Sequence, residues 1–242
     1  MRRQLAAVVA FFALLVIASG AVLTTLRNTA TLWQYVHPRA GIGLGVLSFV
    51  LGIWCLLDKH PVLRGLGLLM AMAAGIEAMS RAVLIHACFA PVLFTAVACI
   101  AVFKPGRPEP AGAGKPSLRH MVIGIPPLVF LQIALGAAVR HKIASVMLHM
   151  GGALLVAGLI LVVCVLVLQR YPNHRRLRLL ATSLISIVLI QVSLGIAVFI
   201  MRSLDMDTSP VLVVAAAAHV SVGALTLAAG ALLAIEYQRS VI

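Results

Sequence analysis

Hydrophobic positions in this chain run in long unbroken stretches. They do not alternate with polar ones. Eight such stretches stand out, roughly 5–27, 37–57, 63–80, 83–103, 120–139, 143–168, 177–200 and 210–235. A helix needs about 20 apolar residues to cross a hydrocarbon core about 30 Å thick. Each stretch is close to that length, so the pattern predicts eight membrane-spanning helices. Membrane β-strands alternate apolar and polar residues, so a barrel is excluded. The breaks carry turn or charge signals: Asp58-Lys59-His60-Pro61, Arg81, the run from Gln169 to Arg178, and the run from Ser203 to Ser209. Ser209-Pro210 predicts a helix start, with serine as N-cap and proline in the first turn. The longest polar stretch, Lys104 to Ser117, contains Pro105-Gly106-Arg107-Pro108 and reads as a linker. The expected organisation is an all-α polytopic membrane protein with eight transmembrane helices, arranged as two pseudo-symmetric four-helix bundles: 1–104, a cytoplasmic linker over 105–118, and 119–242.

Composition agrees. Of 242 residues, 62% are hydrophobic and 10% charged, with mean hydropathy +1.12. Soluble domains have about 45–50% apolar and about 25% charged residues. The net charge of +13 would suggest nucleic acid on a soluble protein. Here the basic residues sit between spans, so they report topology. Thirteen of the nineteen lie on one side (Arg2, Arg3 and the linker residues among them) and six on the other: Arg27, Arg39, Arg81, Arg140, Lys142 and Arg202. The richer side is therefore expected to be cytoplasmic, with both termini there, as in a multi-pass protein of a bacterial-type inner membrane. Arg2-Arg3, an apolar run and Ser19-Gly20-Ala21 also fit a signal peptide. The length of the run and its place in the repeat described next favour a retained helix.

An internal repeat is visible. Gln132-Ile133-Ala134-Leu135-Gly136-Ala137-Ala138-Val139 resembles Gln191-Val192-Ser193-Leu194-Gly195-Ile196-Ala197-Val198. Ser19-Gly20-Ala21-Val22 and Ala74-Gly75-Ile76-Glu77 are weaker echoes. A cation follows each: Arg140, Arg202, Arg27 and Arg81. Small residues let membrane helices approach closely, and repeats related along the membrane normal are a recurrent architecture.

The candidate chemistry is carried by histidine. His60, His120 and His174 fall in or beside the expected cytoplasmic loops and read as solvated. His37, His86, His149 and His219 fall one on each even-numbered span, all toward the outer side. Polar groups in hydrocarbon need partners, and ionisable ones there are functional candidates. Any one alone could simply hydrogen-bond between helices. Four in this regular placement favour axial ligation of heme iron by neutral imidazole, His37 pairing with His86 and His149 with His219. The cysteines (55, 88, 99 and 164) lie in apolar runs with no C-x-x-C pair and read as small core residues. The chain has only six acidic residues, too few for a typical carboxylate-rich metal site in a bundle. Glu77 stands four residues before Arg81, which suggests an intrahelical ion pair. Arg39, Arg81, Arg140 and Arg202 could hold heme propionates or anchor to lipid headgroups.

The segments from Gln132 through Val139-Arg140-His141 to His149, and from Gln191 to His219-Val220-Ser221-Val222-Gly223-Ala224-Leu225, resemble the second half of the heme A synthase family of cytochrome oxidase assembly proteins. The resemblance covers the eight-span plan and is specific in the C-terminal half. It implies two bundles, one holding heme B and the other taking heme O as substrate, with axial ligands at His37, His86, His149 and His219. It implies oxidation of a heme O methyl group to a formyl group. It also implies a separate electron donor, and heme O synthase or oxidase assembly proteins as partners. The chain departs from the family at Gln34, which stands where the family has a glutamate three residues before its histidine. Pro38 separates His37 from Arg39, and the first outer loop lacks a cysteine pair. Glutamine cannot act as a general base, so Gln34 and Glu77 are the two positions at which catalysis would be decided. The competing readings are a non-catalytic b-type heme carrier or electron-transfer protein and, last, a transporter without heme.

Overall fold

The computed structural model describes residues 1–26, 31–79, 83–105, 110–111, 116–206 and 209–241. The described chain is all-helical: α1 (Arg2–Thr25), α2 (Thr31–Leu56), α3 (Pro61–Met79), α4 (Val83–Val102), α5 (Pro116–Arg140), α6 (Val146–Arg170), α7 (Arg175–Ser203) and α8 (Pro210–Ser240). All eight are long and apolar enough to cross a membrane. Backbone N–H and C=O groups find no water in hydrocarbon, so the chain satisfies them within helices.

Most boundaries fall close to the sequence pattern. Helix α2 is the exception. It begins at Thr31, six residues before the expected start, and carries Pro38 in its interior. Proline loses one helical hydrogen bond there, which membrane helices tolerate when neighbouring groups re-satisfy the carbonyl. Pro91, Pro126 and Pro127 are likewise interior. Ser209 caps α8 as expected, its Oγ accepting from the Val211 amide at 3.3 Å.

The chain divides into two compact units. The first comprises Met1–Phe103 with Ser193–Ala224; the second comprises Lys104–Val192 with Leu225–Ile242. In the first, α1 to α4 close a ring in which α1 and α3 each pack against both α2 and α4. Helix α1 buries Ala6, Val9, Ala13, Ile17 and Ala21 on one face, a period of three to four residues, and leaves Val8, Phe11, Phe12 and Leu15 exposed. Helix α3 does the same with Leu63, Leu66, Gly67, Met70 and Ala73. The α2–α3 crossing depends on glycine. A Cβ on Gly67 would lie 2.8 Å from the Gly52 carbonyl oxygen and 2.9 Å from Cys55 Cβ. At the end of this unit Arg2 pairs with Asp58, and Asp58 Oδ1 accepts from the His60 amide at 2.8 Å. The Arg2 guanidinium, and then that amide, hold the Asp58 carboxyl below the usual carboxylate range.

In the second unit α5 packs on α6. Helix α5 closes in a left-handed residue, Lys142 (φ 61°), with the Ile143 amide donating to the Ala138 carbonyl at 2.8 Å. Ser145 then caps α6. At the other end of the unit the buried Glu236 carboxylate pairs with Arg176 at 3.1 Å and lies 3.8 Å from Arg239. Buried Tyr171 and Tyr237 join through their hydroxyls at 3.1 Å. His174 overturns the expectation of a solvated loop residue. It is buried, and its Nδ1 accepts from the Leu177 amide at 3.1 Å, capping α7. His60 is half-buried and does the same for α3, accepting from the Val62 amide at 3.3 Å. The four cysteines are free and buried, as expected.

Two measurements check the packing and the ion pair. Gly67→Ala, which would press a methyl group on backbone, is expected to destabilise the protein by about 1–3 kcal/mol in detergent unfolding. Gly65→Ala, with open space around its Cβ, is expected to be neutral or to stabilise by up to about 1 kcal/mol. Because the folded-state pKa of Asp58 is depressed, the Arg2–Asp58 contribution is complete above the ordinary value near 3.9 and fades as pH falls through the folded value. Asp58→Asn should therefore flatten the acid limb of the melting-temperature profile below about pH 4 and leave wild type the more stable at neutral pH.

Candidate functional site

The four histidines lie in the early turns of α2, α4, α6 and α8, and all four are half-buried. Three meet a glycine of the preceding helix in the same way. A Cβ on Gly20 would lie 2.9 Å from His37 Cε1, one on Gly136 2.9 Å from His149 Cε1, and one on Gly195 2.9 Å from His219 Cε1. The small residue of the repeat thus seats the imidazole edge of the next helix. The fourth repeat differs. Gly75 has open space, and His86 is instead paired through Nδ1 with the Glu77 carboxylate.

The ring nitrogens have identifiable roles. Ser19 Oγ donates to the Val16 carbonyl at 2.8 Å and lies 2.9 Å from His37 Nδ1. Its one proton is used, so it accepts from the histidine. Nδ1 of His37 therefore carries the proton and Nε2 a lone pair. A carboxylate accepts only, so the Glu77 pairing places a proton on Nδ1 of His86 as well. The same two histidines meet edge to face, with ring centres 5.9 Å apart and planes at 86°. Imidazole nitrogens bind metals at about 2.0–2.1 Å, which puts the centres of two rings sharing one ion roughly 6 Å apart. A second partner that fixes Nδ1–H is the usual companion of a metal-binding Nε2. The spacing of His37 and His86 therefore suits two imidazoles that would together hold one iron ion. Among the described residues no group of three or more His, Cys, Asp or Glu could hold a metal ion, but a heme iron needs only two protein ligands.

His149 is held by Gln132 of α5. The amide nitrogen lies 2.7 Å from the His149 carbonyl oxygen and 2.9 Å from its Nδ1. Gly152 leaves room for this side chain, since a Cβ there would meet Gln132 Oε1 at 2.7 Å. His149 belongs to the second unit and His219 to the first.

Among the remaining candidates, Gln34 is exposed, one turn before His37 on α2. Arg39 is exposed and turned back on its own helix, with Nη1 donating to the Tyr35 carbonyl at 3.1 Å and its guanidinium 5.4 Å from the Tyr35 ring. Arg140 is half-buried in the last turn of α5, and Arg202 is exposed in the last turn of α7. Arg81 lies outside the described residues, as do Arg27 and Asp207. Glu77 pairs with His86 of α4; the expected partner along α3, Arg81, lies outside the described residues. Among the described residues the other, buried oxygen of Glu77 has no hydrogen-bond partner. Sequence reasoning missed the roles of Ser19 and Gln132, although both residues stood inside the repeat that drew attention.

Compared with protein-family models, with curated proteins and with solved structures, the chain shows no match.

The glycine contacts make a separable prediction. An imidazole tip can move where backbone cannot, so Gly20→Ala should leave the melting temperature nearly unchanged while displacing His37. Hemin titration should show a weakening of about tenfold, or ~1.4 kcal/mol. Gly75→Ala should show none. Equal losses in both variants would refute the seating role.

Proposed function

We propose that this chain is a membrane heme-binding oxidoreductase of the heme A synthase kind, oxidising the methyl group of heme O to a formyl group. The observation that carries the reading is the His37/His86 pair: two neighbouring rings, each with Nδ1 against an oxygen partner of the preceding helix. Histidines on facing helices are a common means of holding a porphyrin in a bundle. The bound heme would supply one-electron and oxygen chemistry that no side chain here can perform.

The chain's own residues would bind and orient. His37 and His86 would supply the axial nitrogens. Ser19 and Glu77 would fix their rings, and Gly20 would set the depth of His37. Glu77 is the carboxylate nearest this pair. It offers the charge that Gln34 cannot, directly against a ligand ring. That charge on Nδ1 would increase the donor strength of His86. Arg140 and Arg202, in the last turns of α5 and α7, would be candidates to pair with anionic propionates. Electrons would come from a separate donor. The expected setting is a bacterial-type inner membrane with both termini cytoplasmic, in contact with heme O synthase or oxidase assembly proteins. In this reading heme B is the cofactor and heme O the substrate.

One observation favours a second reading, a b-type heme carrier without turnover. Gln34 is exposed and not ionisable, so the position that has a glutamate in the family offers no base.

Mass-resolved chromatography of hemes extracted from membranes that make heme O, with and without this chain, tests the proposal. Hydroxylated or formyl heme appearing only with the chain is the expected result, and Glu77→Gln should reduce it at least tenfold (about 1.4 kcal/mol of barrier). Unmodified heme co-purifying would establish the carrier instead. Preparations with no heme at all would defeat both.

A further inference from the structure

The three histidines with defined Nδ1 partners are not equivalent. Ser19 and Glu77 are acceptors toward His37 and His86. Gln132 is a donor. Its amide nitrogen sits 2.7 Å from the His149 carbonyl oxygen, and a carbonyl cannot tolerate an amide oxygen at that distance. The nitrogen is therefore fixed in place and its second hydrogen points to His149 Nδ1 at 2.9 Å. That ring nitrogen accepts. In a neutral imidazole the proton must then sit on Nε2, and a protonated nitrogen has no lone pair for iron.

We propose that Gln132 is a positioning residue that holds His149 as the Nε2–H tautomer, so that His149 does not ligate iron. Neither heme of the reading above then has His149 as a ligand, and the repeat has kept the histidine while changing its chemistry through the residue at Nδ1. The assignment of His149 rests on the amide geometry. The matching role of His37/His86 rests on the heme reading above.

The test uses the full chain in lipid nanodiscs with ¹⁵N-labelled histidine, first without heme. The His149 signal is identified by its absence from His149→Phe. It should show a protonated Nε2 and an unprotonated Nδ1, while the His37 and His86 signals show the reverse. Gln132→Leu should spread His149 over both tautomers without moving the other two. A protonated Nδ1 on His149 in the wild type would overturn the proposal. Hemin is then added. Low-spin bis-histidine heme should disappear in His37→Ala and in His86→Ala and persist in His149→Ala. Loss in His149→Ala at wild-type melting temperature would equally overturn it. If the tautomers are as described and wild type takes up no heme, the tautomer assignment stands and the heme reading fails.

Discussion

In hydrocarbon a polar group without a partner costs several kcal/mol, and that constraint organises this protein. The backbone answers it by running in eight helices. Several polar side chains inside the spans answer it in pairs. Ser19 meets His37, Glu77 meets His86, Gln132 meets His149, and Glu236 meets Arg176. Each pair joins an element to the next helix or to one farther along the chain. A polar residue therefore does two things here: it is satisfied, and it fixes the register of the helices that satisfy it.

Glycine works alongside these pairs in two physically different ways. Between α2 and α3, Gly67 admits the backbone of Gly52 itself. Close backbone approach is a principal source of packing energy between membrane helices, where lipid competes equally for apolar side chains. At Gly20, Gly136 and Gly195 the neighbour is an imidazole edge. There the missing Cβ contributes little to stability and sets where a functional ring can lie. The same residue type thus serves packing in one place and placement of chemistry in another, and only the atom it faces tells them apart.

The histidines show how a repeated scaffold diverges. Backbone positions are kept, and the side chain opposite Nδ1 changes from hydroxyl to carboxylate to amide. A hydroxyl already donating elsewhere and a carboxylate both accept, which leaves Nε2 basic. An amide nitrogen donates and reverses the ring. No change of fold is needed to turn a potential metal ligand into a hydrogen-bond donor. At the opposite ends of the helices histidine serves the backbone instead, where His60 and His174 accept from main-chain amides and start α3 and α7.

The spans, their number and the burial of the cysteines were legible in the sequence, because length and continuous apolarity are local properties that a bilayer reads directly. So was the regular placement of four histidines after a small-residue repeat. The start of α2 was not legible, since Pro38 looks like a beginning and is tolerated as an interior residue. Nor was the contact of Glu77 with His86 on the next helix, which no spacing along a single helix announces. The burial of His174, the seating glycines and the direction of the Gln132 amide were likewise decided by tertiary structure. Sequence alone determined which groups had to find partners in the membrane. Only the packing of one helix on another decided which atom each of them faces, and that atom fixes where the proton resides.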